Sequence, residues 1–273
     1  EEASISIRDR GFLFGDGLYE VVRLAEGRYF RLGRHLQRLR ENAEKLELVD
    51  IPSDEQLRDI AERLRDRSAL REGMLYLQVT RGSGPRQSSY PEDAAPSVVA
   101  YVDQMRRNAG EFRGEGASAI LVPEMRWRRC DIKSVNLLPK VLMKQKAKRA
   151  GCYEAIFVSE RSEVWEGTST NVFAVRAGRL QTTDHPERVL PGVTRREIVE
   201  IAAEEGIPVE MSTLYVEDLY RAEEVFLTGT LTEVLGLVEV DGTTIGDGEV
   251  GPMTRRLHAA LEKRIEAAGG AEP

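Results

Sequence analysis

Two cysteines, three histidines and two tryptophans among 273 residues leave several chemistries without raw material. Cys130 and Cys152 fit no metal-ligand or redox-motif spacing, and their scarcity points to a reducing compartment, the cytoplasm. His35, His185 and His258 are scattered, so no metal cluster is expected. No apolar run approaches transmembrane length. Positive charge is also in deficit: 39 Lys and Arg against 46 Asp and Glu give a net charge of −7, which argues against nucleic acid as the main partner. Internal repeats and low-complexity segments are missing. The sequence begins at Glu1 and not at a methionine, so residues are expected ahead of it, and any signal they carry cannot be read.

What is present suits a globular chain with one large core or two modest ones, with 41% hydrophobic residues. Residues 12–17 read as a turn feeding a strand over 18–24. Gly15-Asp16-Gly17 supports no phosphate loop, since an ordinary turn explains it equally well. A helix is expected over 33–48, with Leu32, Leu36, Leu39, Ala43 and Leu46 on its apolar face. Ser53 and Gln56 form a capping box opening a helix over 54–67. Strands follow at 74–80 and 97–102, with the Arg81–Pro91 loop between them. The polar, glycine-bearing stretch around 108–116 is the linker candidate. It divides the chain into an N-terminal domain over 1–108, a linker over 109–116 and a C-terminal domain over 117–273. In the latter a strand is expected at 117–122, a helix over 137–150, and a hairpin from 154–159 and 163–165. Strands at 209–213 and 223–228 and a final amphipathic helix over 252–267 complete the pattern. The basic run Lys140–Arg149 reads as a solvated helix face.

Lys133, between Ile132 and Val135, is a candidate for partial burial. Burial disfavours an ammonium and frees an amine able to form a Schiff base. By residue type alone, a lysine with packed stem and wet head explains it as well. Glu166, before Gly167-Thr168-Ser169-Thr170, is either a turn cap or a buried acid delivered by the hairpin. Arg38 stands beside an apolar helix face with His35 and Asn42 and could be drawn inward by an anion, or could lie on the surface. Arg86, bracketed by Pro85 and the following loop, suits bidentate capture of a carboxylate. Leu190-Pro191-Gly192-Val193-Thr194 opens a helix whose free N–H groups on Val193 and Thr194 could hold a phosphate. The turn Thr228-Gly229-Thr230-Leu231-Thr232 offers a second wall of such a cup.

The wording around these residues is more specific than any one of them. Arg126-Trp127-x-Arg129-Cys130-Asp131-Ile132-Lys133-Ser134-x-Asn136, then Gly151-Cys152-Tyr153-Glu154-Ala155-Ile156, then Glu166-Gly167-x-Ser169-x-Asn171-Val172-Phe173 resembles the fold-type IV pyridoxal-phosphate enzymes. Within them it is most similar to the D-amino-acid aminotransferases, over nearly the whole chain. The resemblance implies an α/β (α+β two-domain) fold with a small N-terminal and a larger C-terminal domain and pyridoxal 5'-phosphate between them. It implies that Lys133 is the catalytic lysine. Cofactor contacts would come from Lys133, Glu166, Arg38, Ser169, Leu190, Val193, Thr194, Gly229 and Thr230. Substrate contacts would come from Tyr19, Val21, Arg86 and Ser88, with Arg86 contributed across a homodimer interface. Ser88 stands where the family carries a histidine. The expected reaction moves an amino group between a D-amino acid such as D-alanine or D-glutamate and a 2-oxo acid such as 2-oxoglutarate or pyruvate. Alternatives within the fold are an (R)-amine aminotransferase, a branched-chain L-amino-acid aminotransferase and aminodeoxychorismate lyase. The alternative from another class is a non-enzymatic binding domain.

Overall fold

The computed structural model describes residues 3–105, 112 and 114–267. Half of the expected linker over 109–116 lies outside the described residues. The chain divides into two compact units, Glu1–Met105 with Ile132–Leu137, and Arg106–Asp131 with Leu138–Pro273. The six-residue excursion carries Lys133, which the sequence division assigns to 117–273. The physical reason is packing, because Ile132 is buried in the apolar core of the N-terminal unit.

That unit runs α1 (Arg10–Phe14), β1 (Gly17–Ala25), β2 (Arg28–Tyr29), α2 (Leu32–Lys45), α3 (Asp54–Ser68), β3 (Gly73–Thr80) and β4 (Ser97–Asp103). Its four strands form an antiparallel sheet in the order β2-β1-β3-β4. Strand parity sorts the faces: Leu18, Val22, Leu24, Leu75, Leu77 and Val79 bury against Leu36, Leu39 and Ala43 of α2. Glu20 shares that buried face. Tyr19, Val21 and Tyr76 stand half-buried on the other. The capping box of α3 is formed as the sequence indicates, with Ser53 and Gln56 exchanging backbone and side-chain bonds. The turn expected over 12–17 instead follows a short helix, α1, whose N-cap Asp9 accepts from Gly11 N–H at 2.8 Å.

The second unit runs β5 (Ala117–Pro123), α4 (Leu138–Arg149), β6 (Glu154–Val158), β7 (Glu163–Gly167), β8 (Asn171–Arg176), β9 (Arg179–Thr182), α5 (Val193–Glu204), β10 (Val209–Met211), β11 (Leu214–Tyr215), α6 (Val216–Tyr220), β12 (Glu224–Gly229), β13 (Glu233–Val240), β14 (Thr243–Thr244) and α7 (Pro252–Ala267). Its sheet runs β10-β9-β8-β12-β13-β5-β6-β7-β11, and a further pairing of β7 with β8 closes six of these strands into a ring. The closing register pair is Glu166 with Asn171. Strands β8 and β13 lie outside the sequence expectation. Each is a nearly continuous buried run, without the alternation that marks a half-exposed strand.

Helix α4 is the solvated face expected of Lys140–Arg149 at Lys146, Lys148 and Arg149, which are exposed, and departs from it at its first two lysines. Lys140 Nζ pairs with Glu166 at 3.6 Å and Lys144 Nζ with Glu154 at 3.3 Å. Leu138, Val141 and Leu142 are exposed beside the polar residues of the helix. Two buried carboxylates attract these two lysines, while the basic C-terminal end of the helix stays in solvent.

The tight connection from β7 to β8 depends on Gly167, whose N–H donates to Thr170 O at 2.8 Å. A Cβ there would stand 2.2 Å from Thr170 Oγ1 and 2.9 Å from Glu154 Cγ. Gly167→Ala is therefore expected to destabilise the fold by about 1–3 kcal/mol, read as a lowered denaturation midpoint; an unchanged midpoint would show that the turn relaxes freely.

Candidate functional site

Lys133 is positioned by backbone pairing. Its N–H donates to Asn42 Oδ1 at 2.9 Å, and its carbonyl accepts from Tyr19 N–H at 3.1 Å. Val135 N–H donates to Gly17 O at 3.0 Å, and Ser134 bridges to Leu18, so the segment lies along the start of β1. Lys133 is half-buried, with Nζ 4.3 Å from the centre of the Tyr19 ring. Tyr19 stacks on Tyr76 at 5.8 Å between centroids, and Tyr76 stacks on Tyr101 at 5.0 Å. Val21, opposite Tyr76 in register, shares this face. Arg86 and Ser88 are exposed on the loop after β3.

On the other face of β1 lies a buried charge cluster. Arg38 donates through Nε and Nη2 to Glu20 at 2.8 and 2.7 Å, and His35 Nδ1 lies 2.7 Å from the same carboxylate. An anion does draw Arg38 inward, and that anion is the chain's own Glu20. Burial alone would raise the Glu20 carboxyl, but the charge and hydrogen bonds of Arg38 and those of His35 hold it at about 2. Burial pushes His35 down, and the nearby charges of Arg38 and Lys133 act in the same direction against Glu20. Asn42 Nδ2 donates to Arg38 O at 2.6 Å, linking this cluster to the backbone of Lys133.

In the second unit the candidates gather around Asn171. Glu166, Asn171 and Thr228 are register neighbours on β7, β8 and β12. Asn171 Nδ2 donates to Leu190 O at 3.0 Å and lies 3.5 Å from Glu166 Oε2. A Cβ on Gly192 would stand 2.1 Å from Asn171 Oδ1, so any larger residue there would push the Asn171 amide aside. Gly192 is the N-cap of α5 and makes no side-chain cap bond, which leaves the first turn at Val193 and Thr194 suited to an anion. Gly229 abuts the Ser169 turn, with a built Cβ 3.2 Å from Ser169 O, and Thr230 begins the turn that follows. Thr228 Oγ1 is buried with no hydrogen-bond partner among the described residues.

Glu166 is buried and ringed by donors: Arg126 Nη1, Leu190 N–H at 2.8 Å and the Lys140 ammonium at 3.6 Å. Burial opposes its charge, but Lys140, Arg126 and the Leu190 N–H together hold it below the usual carboxylate range. Arg126 is clamped from behind by Glu124, with Nη2 at 2.6 Å from Oε2, and lies 4.3 Å from the centre of the Phe157 ring. Burial counts against its charge, and Glu166 with Glu124 keeps it protonated.

Residues 17–240 match the amino-transferase class IV family model. The D-alanine aminotransferase of Bacillus licheniformis is 39% identical over 264 residues, covering 97% of this chain and 93% of that protein. That of Staphylococcus haemolyticus is 38% identical, covering 97% and 94%. Among solved structures, the Escherichia coli branched-chain amino acid aminotransferase superposes with a TM-score of 0.89 at 26% identity, over 96% of this chain and 89% of that one. The branched-chain aminotransferase of the archaeon Thermoproteus uzoniensis with norvaline gives 0.86 at 26%, over 98% and 92%.

The chain belongs to the class IV aminotransferases. Members of this family are pyridoxal-phosphate-dependent. The partners of the class IV core most easily missed in the sequence are Arg126, Asn171 and Glu20. Arg126 and Asn171 lie inside motifs, but pairing with Glu166 depends on ring closure. Glu20 leaves one signal, a charge at core parity between Leu18 and Val22. The three histidines, read as scattered, include one with acidic neighbours. His258 lies 3.5 Å from Glu233 and 3.6 Å from Glu262, and ligand atoms of the three fall within 4.8 Å.

The drop of Glu20 from 4.5 to about 2 corresponds to about 3 kcal/mol of stability, present above pH 4.5 and lost as the pH falls towards 2. Glu20→Gln should lose about that much at neutral pH, and the gap to wild type should narrow on acidification. Denaturant midpoints measured across that range test this; a constant gap would contradict it.

Proposed function

We propose that this aminotransferase transfers the amino group of a D-amino acid, of the D-alanine or D-glutamate type, to a 2-oxo acid such as 2-oxoglutarate or pyruvate. The observation that carries this reading is the near-full-length likeness to D-alanine aminotransferases together with the buried, ionised Glu166. Pyridoxal 5'-phosphate, when bound, supplies a conjugated electron sink for the charge left as the donor's α-proton departs. The residues fit such a group: an uncapped helix start, a buried Thr228 hydroxyl with no partner among the described residues, and a buried carboxylate held below the usual carboxylate range by its cationic neighbours.

In this reading Lys133 Nζ would hold the cofactor through its aldehyde, and its amine would serve as the general base for the donor's α-proton. Glu166, kept ionised by Lys140 and Arg126, would be the partner for the cofactor's ring nitrogen. The N–H groups of Val193 and Thr194, with Thr230 and Gly229, bind the phosphate. Arg38 adds its charge from the Glu20 cluster, and Leu190 and Ser169 line the ring. Tyr19 and Val21 orient the donor. Arg86 and Ser88, exposed on their own protomer, serve the partner's site in a homodimer. Free Cys130 and Cys152 suit a cytoplasmic location. A second reading, a branched-chain L-amino-acid aminotransferase, is favoured by the shape match at a TM-score of 0.89, and Ser88 would relax the demand for a carboxylate enough to admit (R)-amines.

Mixing cofactor-loaded enzyme with matched D- and L-amino acids decides among these. Bleaching of the visible cofactor band by D-alanine and not by L-leucine is expected; the reverse would overturn D-specificity. Lys133→Ala should lose both half-reactions and the band, and turnover near the wild-type rate would remove Lys133 from the mechanism.

A further inference from the structure

The loop bearing Arg86 and Ser88 has exposed side chains from Pro85 to Tyr90, yet its backbone is held from inside the N-terminal unit. Arg10, 2% exposed, donates through Nη1 to the carbonyl oxygens of Gln87 at 2.8 Å and Ser89 at 3.2 Å, the two residues that flank Ser88. Its Nε binds Asp16 Oδ2 at 2.7 Å, and its guanidinium lies 4.7 Å from the centre of the Phe14 ring. Arg86 approaches the same ring at 5.9 Å. Asp16 Oδ2 also accepts from Arg81 Nε at 2.9 Å. Arg81 donates onward to Glu47 O and Leu46 O at 2.9 and 2.7 Å, and its guanidinium carbon lies 3.6 Å from the centre of the Tyr90 ring. One carboxylate thus joins two buried arginines, one holding the middle of the loop and the other its far end.

We propose that Arg10 and Arg81, joined through Asp16, are positioning residues that pre-set the Arg86–Ser88 loop for the donor's carboxylate and so select amino acids over carboxylate-free amines. The inference rests on the functional reading above, in which Arg86 meets that carboxylate. Its physical basis is loop ordering. A run of exposed residues with no such clamp must be ordered when substrate arrives, and that cost comes out of substrate affinity. The guanidinium fork suits the task, because Arg10 must point donors at two carbonyls and one carboxylate from a single rigid plane. A lysine keeps the charge but cannot hold all three directions.

The test compares wild type with Arg10→Lys and with Tyr90→Ala, a change of an exposed side chain that removes the stacking under Arg81. All are loaded with cofactor and assayed with D-alanine and with (R)-1-phenylethylamine, which has no carboxylate. For Arg10→Lys the KM for D-alanine should rise about tenfold with kcat little changed, as expected for losing hydrogen bonds that order a binding group. For Tyr90→Ala the shift has the same sign and is smaller. The half-reaction with the amine should be unaffected, and Arg10→Lys should add nothing on an Arg86→Ala background. An unchanged KM in both variants, an equal rise with the amine, or full additivity with Arg86→Ala overturns the clamp alone. Wild-type enzyme inert to D-alanine overturns the functional reading and the clamp with it.

Discussion

A carboxylate buried at the point where a sheet closes on itself is the constraint the second unit is built around. Isolating an ionised acid from water is costly, and removing one partner of such a pair costs several kcal/mol more than the pair ever returns. Glu166 is therefore surrounded from four directions: Arg126 after β5, Lys140 on α4, Asn171 on β8 and Leu190 N–H ahead of α5. The register pair Glu166–Asn171 that closes the ring fixes the same carboxylate in place. Backbone closure and charge neutralisation are one arrangement, so the ionisation state of Glu166 is set by the fold itself.

The N-terminal unit repeats the device twice. Glu20 sits between Arg38 and His35, and Asp16 between Arg10 and Arg81. In each case a single carboxylate aligns two side chains, and these clusters reach backbone at other places in the chain. A hydrophobic replacement could match such clusters for stability, but it would not fix direction. Direction is what they supply here. The Glu20 cluster leads through Asn42 to the Lys133 backbone, and the Asp16 cluster leads to the peptides around Ser88.

The legible parts of the sequence were those written in one stretch or one period. The apolar stripe of α2, the capping box of α3 and the alternation of β1 and β3 are local patterns, and they form as the patterns dictate. Lys133 and Glu166 stood out through motif wording, and the Gly192-Val193-Thr194 helix start through its free N–H groups. What could not be read is what depends on distant partners. The pairing of Lys140 and Lys144 requires knowing that Glu166 and Glu154 are buried within their reach. Strands β8 and β13 are buried on both faces over most of their length, which removes the period that would announce them. The packing of residues 132–137 with the N-terminal unit depends on where Ile132 finds its core.

The two kinds of likeness this chain shows point to different layers of the same molecule. Its shape is shared with branched-chain enzymes at 26% identity, while its sequence follows D-alanine aminotransferases at 39%. A backbone common to enzymes of different substrate preference cannot itself encode that preference. The ring, its closing carboxylate and the uncapped start of α5 are what such enzymes can hold in common, because they would serve the cofactor. In the function proposed above, discrimination falls to side chains that the frame presents without burying, such as Tyr19 and Val21 on the half-buried face of β1 and Arg86 and Ser88 on the loop after β3. Exposed groups of this kind are readily exchanged, since little packing depends on them. In the proposed clamp their precision comes from the layer beneath, where buried Arg10 and Arg81 stand under a loop whose own side chains face solvent.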